Sequence, residues 1–336
     1  MADSQPYIDT TLNFQDPRYR GFRQPHPLSK YKAPPPKPGE ATGQGQPVRI
    51  YNARLLDPPA TLATHGFQCA RCPLPKGLDL RDPDTGRKGF YKYVQSVVKE
   101  ASPGCLTVVQ PSEHEYRTGH SHLPPEHRHG LKPTPNGSSG FYGASIHSDL
   151  SSSYEMDWKP KEGRKEHHLQ IVKIWRSTDM ENNVECMPLV FADMRTVRPE
   201  DIIYYDGQNT MNLKMNTKYV AMGIAFHPDQ RWYYFPHLTP DEVLIFVQYD
   251  TRREEAHLRT VFHSAAWDPT TRRDAPPRYT IEAATAVIYE EEPQKAKAAR
   301  VKRFLAQISS TYPDGTQSDW WSGPIEGYRP PEFSKL

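Results

Sequence analysis

Short apolar runs that are rich in β-branched and aromatic residues follow one another from Ser145 to Glu291. They constrain the fold more than any other feature, because strands of this kind need partners in a sheet. In Leu169–Arg176 both alternating sets of positions hold apolar residues, which indicates a strand buried on both faces. The series predicts a mainly β domain with flanking helices. Eight strands in two sheets, a jelly roll, is the simplest such arrangement.

Two segments at the borders of this series have helical patterns. Gly89–Ala101 carries apolar residues at helical spacing, and the proline and glycine that follow oppose its continuation. Pro293–Ile308 is rich in helix formers and carries an apolar stripe. We therefore divide the chain into a proline-rich irregular N-terminal arm (1–45), a jelly-roll domain (46–292) and a C-terminal helix and tail (293–336). Many of the 34 prolines lie in the arm, where they favour extended chain.

The tripeptide His147-Ser148-Asp149, together with His263 far downstream, is the main chemical pattern. On a strand, side chains two apart point the same way, so His147 and Asp149 share a face. A β-barrel can bring His263 across to them. Two imidazoles and one carboxylate form the facial triad of non-heme Fe(II) oxygenases. The alternative is that His263, beside Phe262, is a core histidine with both ring nitrogens satisfied.

Arg278 follows His263 closely enough to lie on an adjacent strand. Its guanidinium is a planar and permanently charged fork, which suits a dicarboxylate co-substrate. Arg176, at the end of an earlier strand, allows two interpretations. It either pairs with a carboxylate inside the barrel or serves the co-substrate, and we favour the structural role.

The order of several sequence blocks resembles the fungal AsaB-type hydroxylase/desaturase family, to which fungal gibberellin desaturase and relatives of bacterial cephalosporin 7-hydroxylase belong. The blocks are HHLQIVKIWRSTD (167–179), MPLVFADMRTV (187–197), WYYFPHLTPDEVLIF (232–246), FHSAAWDP (262–269) and PPRYTIE (276–282). The resemblance runs from about Val48 to Tyr289, and the block from Trp232 to Phe246 is its most specific part.

This resemblance implies a double-stranded β-helix and an oxygenase of secondary metabolism that uses Fe(II) and 2-oxoglutarate. It implies His147, Asp149 and His263 as iron ligands, with Arg278 and Thr280 on the 2-oxoglutarate carboxylate. The chain departs from the family pattern in two places. It has WRS (175–177) where many members have WRP, and RYTIEAA (278–284) where many have RESIEVR.

Two further clusters allow a metal or redox interpretation beside a structural one. Glu113–Gly130 holds five histidines, but its glycine, prolines and charges favour a solvated loop over a second metal site. Cys69 and Cys72 form a single C-x-x-C without a second pair, which favours structural thiols over a redox pair.

Charge and hydropathy exclude some partners. A net charge of +2 provides no basic patch for nucleic acid. Neither a signal peptide nor an apolar run of about 18 residues is present, so we expect a soluble, cytoplasmic protein without membrane contact. We expect a small secondary-metabolite substrate, and both a homodimer and a heterodimer remain open.

Two rivals to the oxygenase come from other classes. One is a non-oxidative cyclase or pericyclase on the same scaffold, and the other is an inactive partner subunit of a heterodimeric oxygenase. The sequence does not identify the substrate, nor does it choose among hydroxylation, desaturation and cyclisation.

Overall fold

A computed structural model describes residues 5–25, 31, 35–40, 42–80, 86–111, 113–118, 142–149, 166–208, 218–307 and 311–317. Within these ranges the chain forms two α-helices, α1 (Gly86–Ala101) and α2 (Gln294–Gln307). The strands are β1 (Tyr7–Leu12), β2 (Arg23–Gln24), β3 (Gln46–Asn52), β4 (Phe67–Arg71), β5 (Thr107–Val108), β6 (Glu115–Thr118), β7 (His167–Ser177), β8 (Leu189–Ala192), β9 (Ile202–Gln208), β10 (Lys218–Ile224), β11 (Trp232–Tyr234), β12 (Glu242–Asp250), β13 (His263–Ala265) and β14 (Tyr279–Glu291).

The strands form three sheets. The largest has the order β4-β12-β7-β14-β5, with β6 also paired to β14. A five-stranded sheet has the order β1-β3-β11-β8-β13, and a three-stranded sheet the order β10-β9-β2. The mainly β fold with flanking helices is therefore as predicted.

The core lies between the two larger sheets. Phe191 of β8 stacks on Phe67 of β4 with ring centroids 4.9 Å apart, and its centroid is 5.1 Å from that of Phe246 on β12. All three side chains are fully buried. Aromatic burial of this size supplies much of the hydrophobic stabilisation that holds two sheets face to face.

Strands β7 and β14 form the centre of the largest sheet, and each is buried on both faces. They pair antiparallel from Thr280 opposite Ser177 to Ile288 opposite Leu169. One face of β7 packs against α1, whose apolar side chains lie at helical spacing as predicted. On that face Arg176 donates to the Tyr93 hydroxyl at 2.7 Å and to the Cys72 carbonyl at 3.2 Å. Arg176 thus has a structural role as predicted, but its partners here are a hydroxyl and backbone carbonyls rather than the predicted carboxylate.

The prediction of an irregular N-terminal arm is wrong for two short segments. Strand β1 pairs antiparallel with β3 across the predicted boundary at residue 45, and β2 pairs with β9. The physical reason is the alternation of Ile8 and Leu12 with polar residues, since both apolar side chains are buried against the body. The division into arm, domain and tail otherwise stays a prediction.

The prediction of a loop over Glu113–Gly130 also needs correction. Residues 115–118 form β6, because their backbone pairs with β14 from Tyr279 to Glu282. His114 lies among aromatic rings, and its Nδ1 is 3.1 Å from the Tyr91 hydroxyl. The other four histidines of this segment lie outside the described residues.

The predicted C-terminal helix is present as α2. Buried ion pairs dock it, since Arg300 contacts both carboxylate oxygens of Glu292, and Lys297 lies 3.2 Å from Glu166. The predicted apolar stripe falls on side chains outside the described residues. Within the described ranges, no helix has the length and apolar character needed to cross a membrane.

Candidate active site

The backbone brings His147 and His263 directly opposite each other. The two residues exchange both backbone hydrogen bonds, at 3.1 Å from His147 N to His263 O and 3.0 Å in the reverse direction. Residues paired in this way project their side chains from the same face of the ladder. The imidazole centroids are accordingly 4.6 Å apart.

Asp149 completes the cluster, because it lies two residues after His147 on the same extended segment. Its Oδ1 is 3.4 Å from Nε2 of His147, and its Oδ2 is 3.5 Å from Nε2 of His263. One ligand atom from each of the three residues lies within 4.8 Å of the other two. The structure therefore brings the three predicted ligands to one point.

The two imidazoles have the orientation that a metal site requires. Nδ1 of His147 is 2.7 Å from the Ser145 carbonyl oxygen, and Nδ1 of His263 is 3.2 Å from that of Val261. A carbonyl only accepts, so each Nδ1 carries the hydrogen and each Nε2 keeps its lone pair. Nε2 faces the carboxylate in both cases, and backbone partners of this kind fix the ring orientation of metal-ligating histidines.

Burial and neighbouring charge set the ionisation of the cluster. Burial of His263 lowers its pKa to about 4, so the ring is neutral at physiological pH. Burial opposes ionisation of Asp149, but the Lys173 ammonium and then His263 hold the pKa of that carboxyl well below its usual range. A neutral imidazole and an ionised carboxylate are the forms that bind a divalent metal.

Arg278 lies in the same narrow cavity as the two histidines, whose other walls include Trp175, Leu189 and Glu282. Its side chain is 3% exposed, and among the described residues no carboxylate lies within ion-pair distance of it. Instead, the guanidinium donates to the Met187 carbonyl and stacks over the Tyr142 ring at 4.1 Å. Burial lowers the pKa of Arg278 to about 10. A buried cation without an acidic partner is a favourable place for an anionic ligand.

Arg278 and Thr280 each carry a buried polar atom without a hydrogen-bond partner among the described residues. These atoms are Nε of Arg278 and Oγ1 of Thr280. The two residues are two positions apart at the start of β14, so they face the same side. Buried polar atoms are nearly always paired, and a carboxylate would accept from both donors. The residues therefore fit the distal carboxylate of 2-oxoglutarate, and the three ligands above fit Fe(II).

Sequence reasoning missed a charged cluster behind Asp149. Nζ of Lys173 is 2.8 Å from Oδ2 of Asp149 and 2.8 Å from Oε1 of Glu282. Arg117 donates to the same Glu282 oxygen at 2.9 Å and to Glu115 at 3.0 Å. The available signal was a lysine and a glutamate, each in the middle of a run that is otherwise apolar and buried.

The remaining candidate residues lie outside this site. All four cysteines are free, and burial raises the pKa of the Cys69 thiol to about 12, which makes it an unreactive thiol. That result agrees with structural thiols rather than a redox pair.

The fold and the site together define a jelly-roll protein with a candidate 2-His-1-carboxylate metal centre. The family model described as an oxidoreductase/YMDC permease-like domain matches residues 12–288, and the chain belongs to this family.

Characterised relatives are fungal. The chain is 29% identical over 131 residues to the hydroxylase/desaturase asaB of Aspergillus flavus, a match that covers 37% of this chain and 56% of that protein. It is 30% identical over 137 residues to the hydroxylase/desaturase efuI of Hormonema carpetanum, covering 36% and 41%. It is 25% identical over 232 residues to the hydroxylase/desaturase poxK of Penicillium oxalicum, covering 61% and 66%. The chain thus spans less than two thirds of the length of these relatives, and their names confirm the predicted relation to AsaB-type proteins.

Solved structures confirm the fold. The iron and alpha-ketoglutarate-dependent endoperoxidase NvfI superposes in one conformation with a TM-score of 0.63 at 21% identity, over 86% of this chain and 99% of that one. A second NvfI structure gives a TM-score of 0.62, also at 21% identity, over 85% and 99%. At this identity the likeness establishes the predicted double-stranded β-helix.

Proposed function

We propose that the protein is a non-heme Fe(II)- and 2-oxoglutarate-dependent oxygenase that hydroxylates or desaturates a secondary-metabolite intermediate. The observation that carries the proposal is a single cavity lined by both candidate histidine ligands and by Arg278. Asp149 completes the ligand cluster with the two histidines, and among the described residues the Arg278 guanidinium has no carboxylate partner. The names of the relatives, hydroxylase/desaturase and iron- and alpha-ketoglutarate-dependent endoperoxidase, support the same chemistry.

In this proposal His147, Asp149 and His263 hold the metal. Fe(II) and 2-oxoglutarate, when bound, supply the reductive activation of dioxygen that removal of hydrogen from an unactivated carbon requires. Arg278 and Thr280 donate to the distal carboxylate, and the Tyr142 and Trp175 rings keep the guanidinium in place and exclude water. The protein thereby supplies position and a dry environment.

A non-oxidative enzyme on this scaffold is the second candidate, and one observation favours it. Asp149 already has an ammonium partner in Lys173, so the cluster does not need a metal to balance the carboxylate. The buried guanidinium of Arg278 argues against it, because it has no carboxylate partner among the described residues and so suits a keto-acid co-substrate.

Succinate formation separates the two. The purified protein, given Fe(II), 2-oxoglutarate and oxygen, is expected to form succinate slowly without substrate and faster with it. The reaction should require added iron and should be absent in His263→Ala. Comparing metabolites of a strain with and without the gene would supply the substrate. A protein that converts this substrate at the same rate without oxygen and keto acid is the non-oxidative enzyme.

A further inference from the structure

The candidate metal ligand Asp149 has a buried cation, the Lys173 ammonium, within contact distance. Oδ2 of Asp149 lies 3.5 Å from Nε2 of His263 and 2.8 Å from Nζ of Lys173. A metal held by the three ligands therefore shares Asp149 with the ammonium. Two positive charges on one carboxylate repel each other, and the repulsion is strong where water is largely excluded.

Glu282 provides a second carboxylate for the same ammonium. Its Oε1 is 2.8 Å from Nζ of Lys173, the same distance as Oδ2 of Asp149. The register explains this position: Glu282 lies opposite Trp175 on β7, so it is the diagonal neighbour of Lys173 on one face of the sheet. The side chains of Lys173 and Glu282 are 10% and 7% exposed, so the pair is screened from bulk water.

Arg117 fixes Glu282 from the other side. It donates from Nε at 3.0 Å and from Nη2 at 2.9 Å to the same oxygen that Lys173 contacts. The Glu282 carboxylate is therefore held in place whether or not Lys173 contacts it. Lys173, in contrast, has a flexible side chain with two acceptors, Asp149 and Glu282, so its ammonium group can move toward either carboxylate.

We propose that Lys173 is a positioning residue that sets the metal affinity of the site. Its ammonium competes with the metal for the Asp149 carboxylate, and Glu282 limits this competition by accepting the ammonium when the metal binds. The proposal rests on the proposed function, because it takes the three ligands to be a metal centre. It adds that Lys173 lowers the metal affinity and that Glu282 restores part of it.

Cobalt(II) titration tests this through its visible absorption bands, without any enzymatic turnover. Lys173→Met removes the competing charge at similar volume, so cobalt should bind about tenfold more tightly than in the wild type. Glu282→Gln removes the negative charge of the alternative partner, so the ammonium should stay on Asp149 and cobalt should bind about tenfold more weakly. In the Lys173→Met background the Glu282→Gln change should have less than about a threefold effect, which is the coupling that a double-mutant cycle measures. The matched control is Lys297→Met, which removes a buried lysine of α2 that pairs with Glu166. This change should leave the cobalt affinity unaltered.

Thermal unfolding supplies a second measurement. Lys173→Met leaves Asp149 without its ammonium partner, so the metal-depleted variant should unfold at a lower temperature than the wild type. Cobalt should then raise the unfolding temperature of the variant by more than it raises that of the wild type.

If Lys173 has only a structural role, the titration should give the opposite result, namely weaker cobalt binding once the lysine is lost. Weaker or unchanged binding in Lys173→Met therefore overturns the proposal. If that variant does not fold, Glu282→Gln decides: unchanged or tighter binding there overturns it as well. A wild-type protein that binds no cobalt overturns the proposed function together with this role. Cobalt binding that is normal in the wild type and insensitive to both changes overturns this role alone.

Discussion

Replacement of Arg278 by methionine should weaken co-substrate binding without destabilising the protein. Burial lowers the pKa of Arg278 from its usual value to about 10. At about 1.4 kcal/mol per unit of pKa, the charged guanidinium costs the ligand-free protein roughly 3 kcal/mol. The side chain is only 3% exposed, so solvent screening reduces this figure little. A carboxylate bound against the guanidinium would recover much of that cost.

Methionine keeps the packing against Tyr142 and Trp175 but removes the charge. We therefore expect the affinity for 2-oxoglutarate to fall on the order of 10²-fold, which corresponds to about 3 kcal/mol. The unfolding temperature of the ligand-free variant should be equal to that of the wild type or higher. Isothermal titration under anaerobic conditions measures the first quantity, and differential scanning calorimetry the second.

The matched control is Arg252→Met. Arg252 stacks over the Tyr289 ring at 3.7 Å, much as Arg278 stacks over Tyr142, but it has a partner in Asp250 at 2.9 Å. Its loss removes the closer of two arginines from the buried Asp250 carboxylate and leaves Arg253 at 3.9 Å, so the unfolding temperature should fall while keto-acid affinity stays unchanged. An Arg278→Met variant that is destabilised like the control and still binds 2-oxoglutarate with the affinity of the wild type would contradict this prediction.

Three further changes test separate parts of the structure. His263→Ala should abolish the binding of one Fe(II) per chain in metal analysis, whereas His114→Ala should leave it intact; iron lost in the second variant instead would move the site to the histidine-rich segment. Gly143→Ala places a methyl group about 2.9 Å from Cε1 of the His147 ring, which is too close for an undisturbed ring. Metal affinity should therefore fall on the order of tenfold with little change in unfolding temperature. An unchanged affinity would show that the ring has room to move. Burial alone would raise the pKa of Asp201, but the Arg198 and Arg20 guanidinium groups bring this pKa below its usual value. The ion pairs of Asp201 therefore stabilise the fold at neutral pH, and this stabilisation is lost as the pH falls below about 4. Asp201→Asn should therefore lower the free energy of unfolding by about 1–3 kcal/mol at pH 7 and by much less near pH 3, and an equal loss at both pH values would contradict the assignment.

The strands of the domain could be predicted because their sequences are continuous and apolar on both faces. β7, β12 and β14 carry this pattern over most of their length, and α1 has an equally clear period. β1 was missed because only Ile8 and Leu12 reveal its alternation, and prolines dominate the segment that follows. A strand of this kind is stable only through its partner β3, which local sequence does not report.

The candidate ligands could also be predicted, because His-x-Asp fixes two of them on one face by local geometry alone. The cluster of Lys173, Glu282 and Arg117 could not, since it depends on the register between three strands. Lys173 and Glu282 are 109 residues apart, and a shift of one residue in pairing would turn one of them to the other face. A charged residue within a buried strand indicates that it has a partner of opposite charge, but the sequence does not identify that partner.

The most direct test of the account is the visible charge-transfer band of Fe(II) chelated by 2-oxoglutarate, recorded anaerobically. The band requires the metal and the bound keto acid together, so it reports iron binding and 2-oxoglutarate binding in one measurement. We expect it in the wild type, weakly in Arg278→Lys, which keeps a point charge but not the fork, and not at all in Arg278→Ala at the same keto-acid concentration. Thr280→Ala should reduce it less than either change, because a neutral hydroxyl contributes less than a charged donor. A wild-type protein that binds Fe(II) but shows neither this band nor succinate formation would contradict the oxygenase assignment.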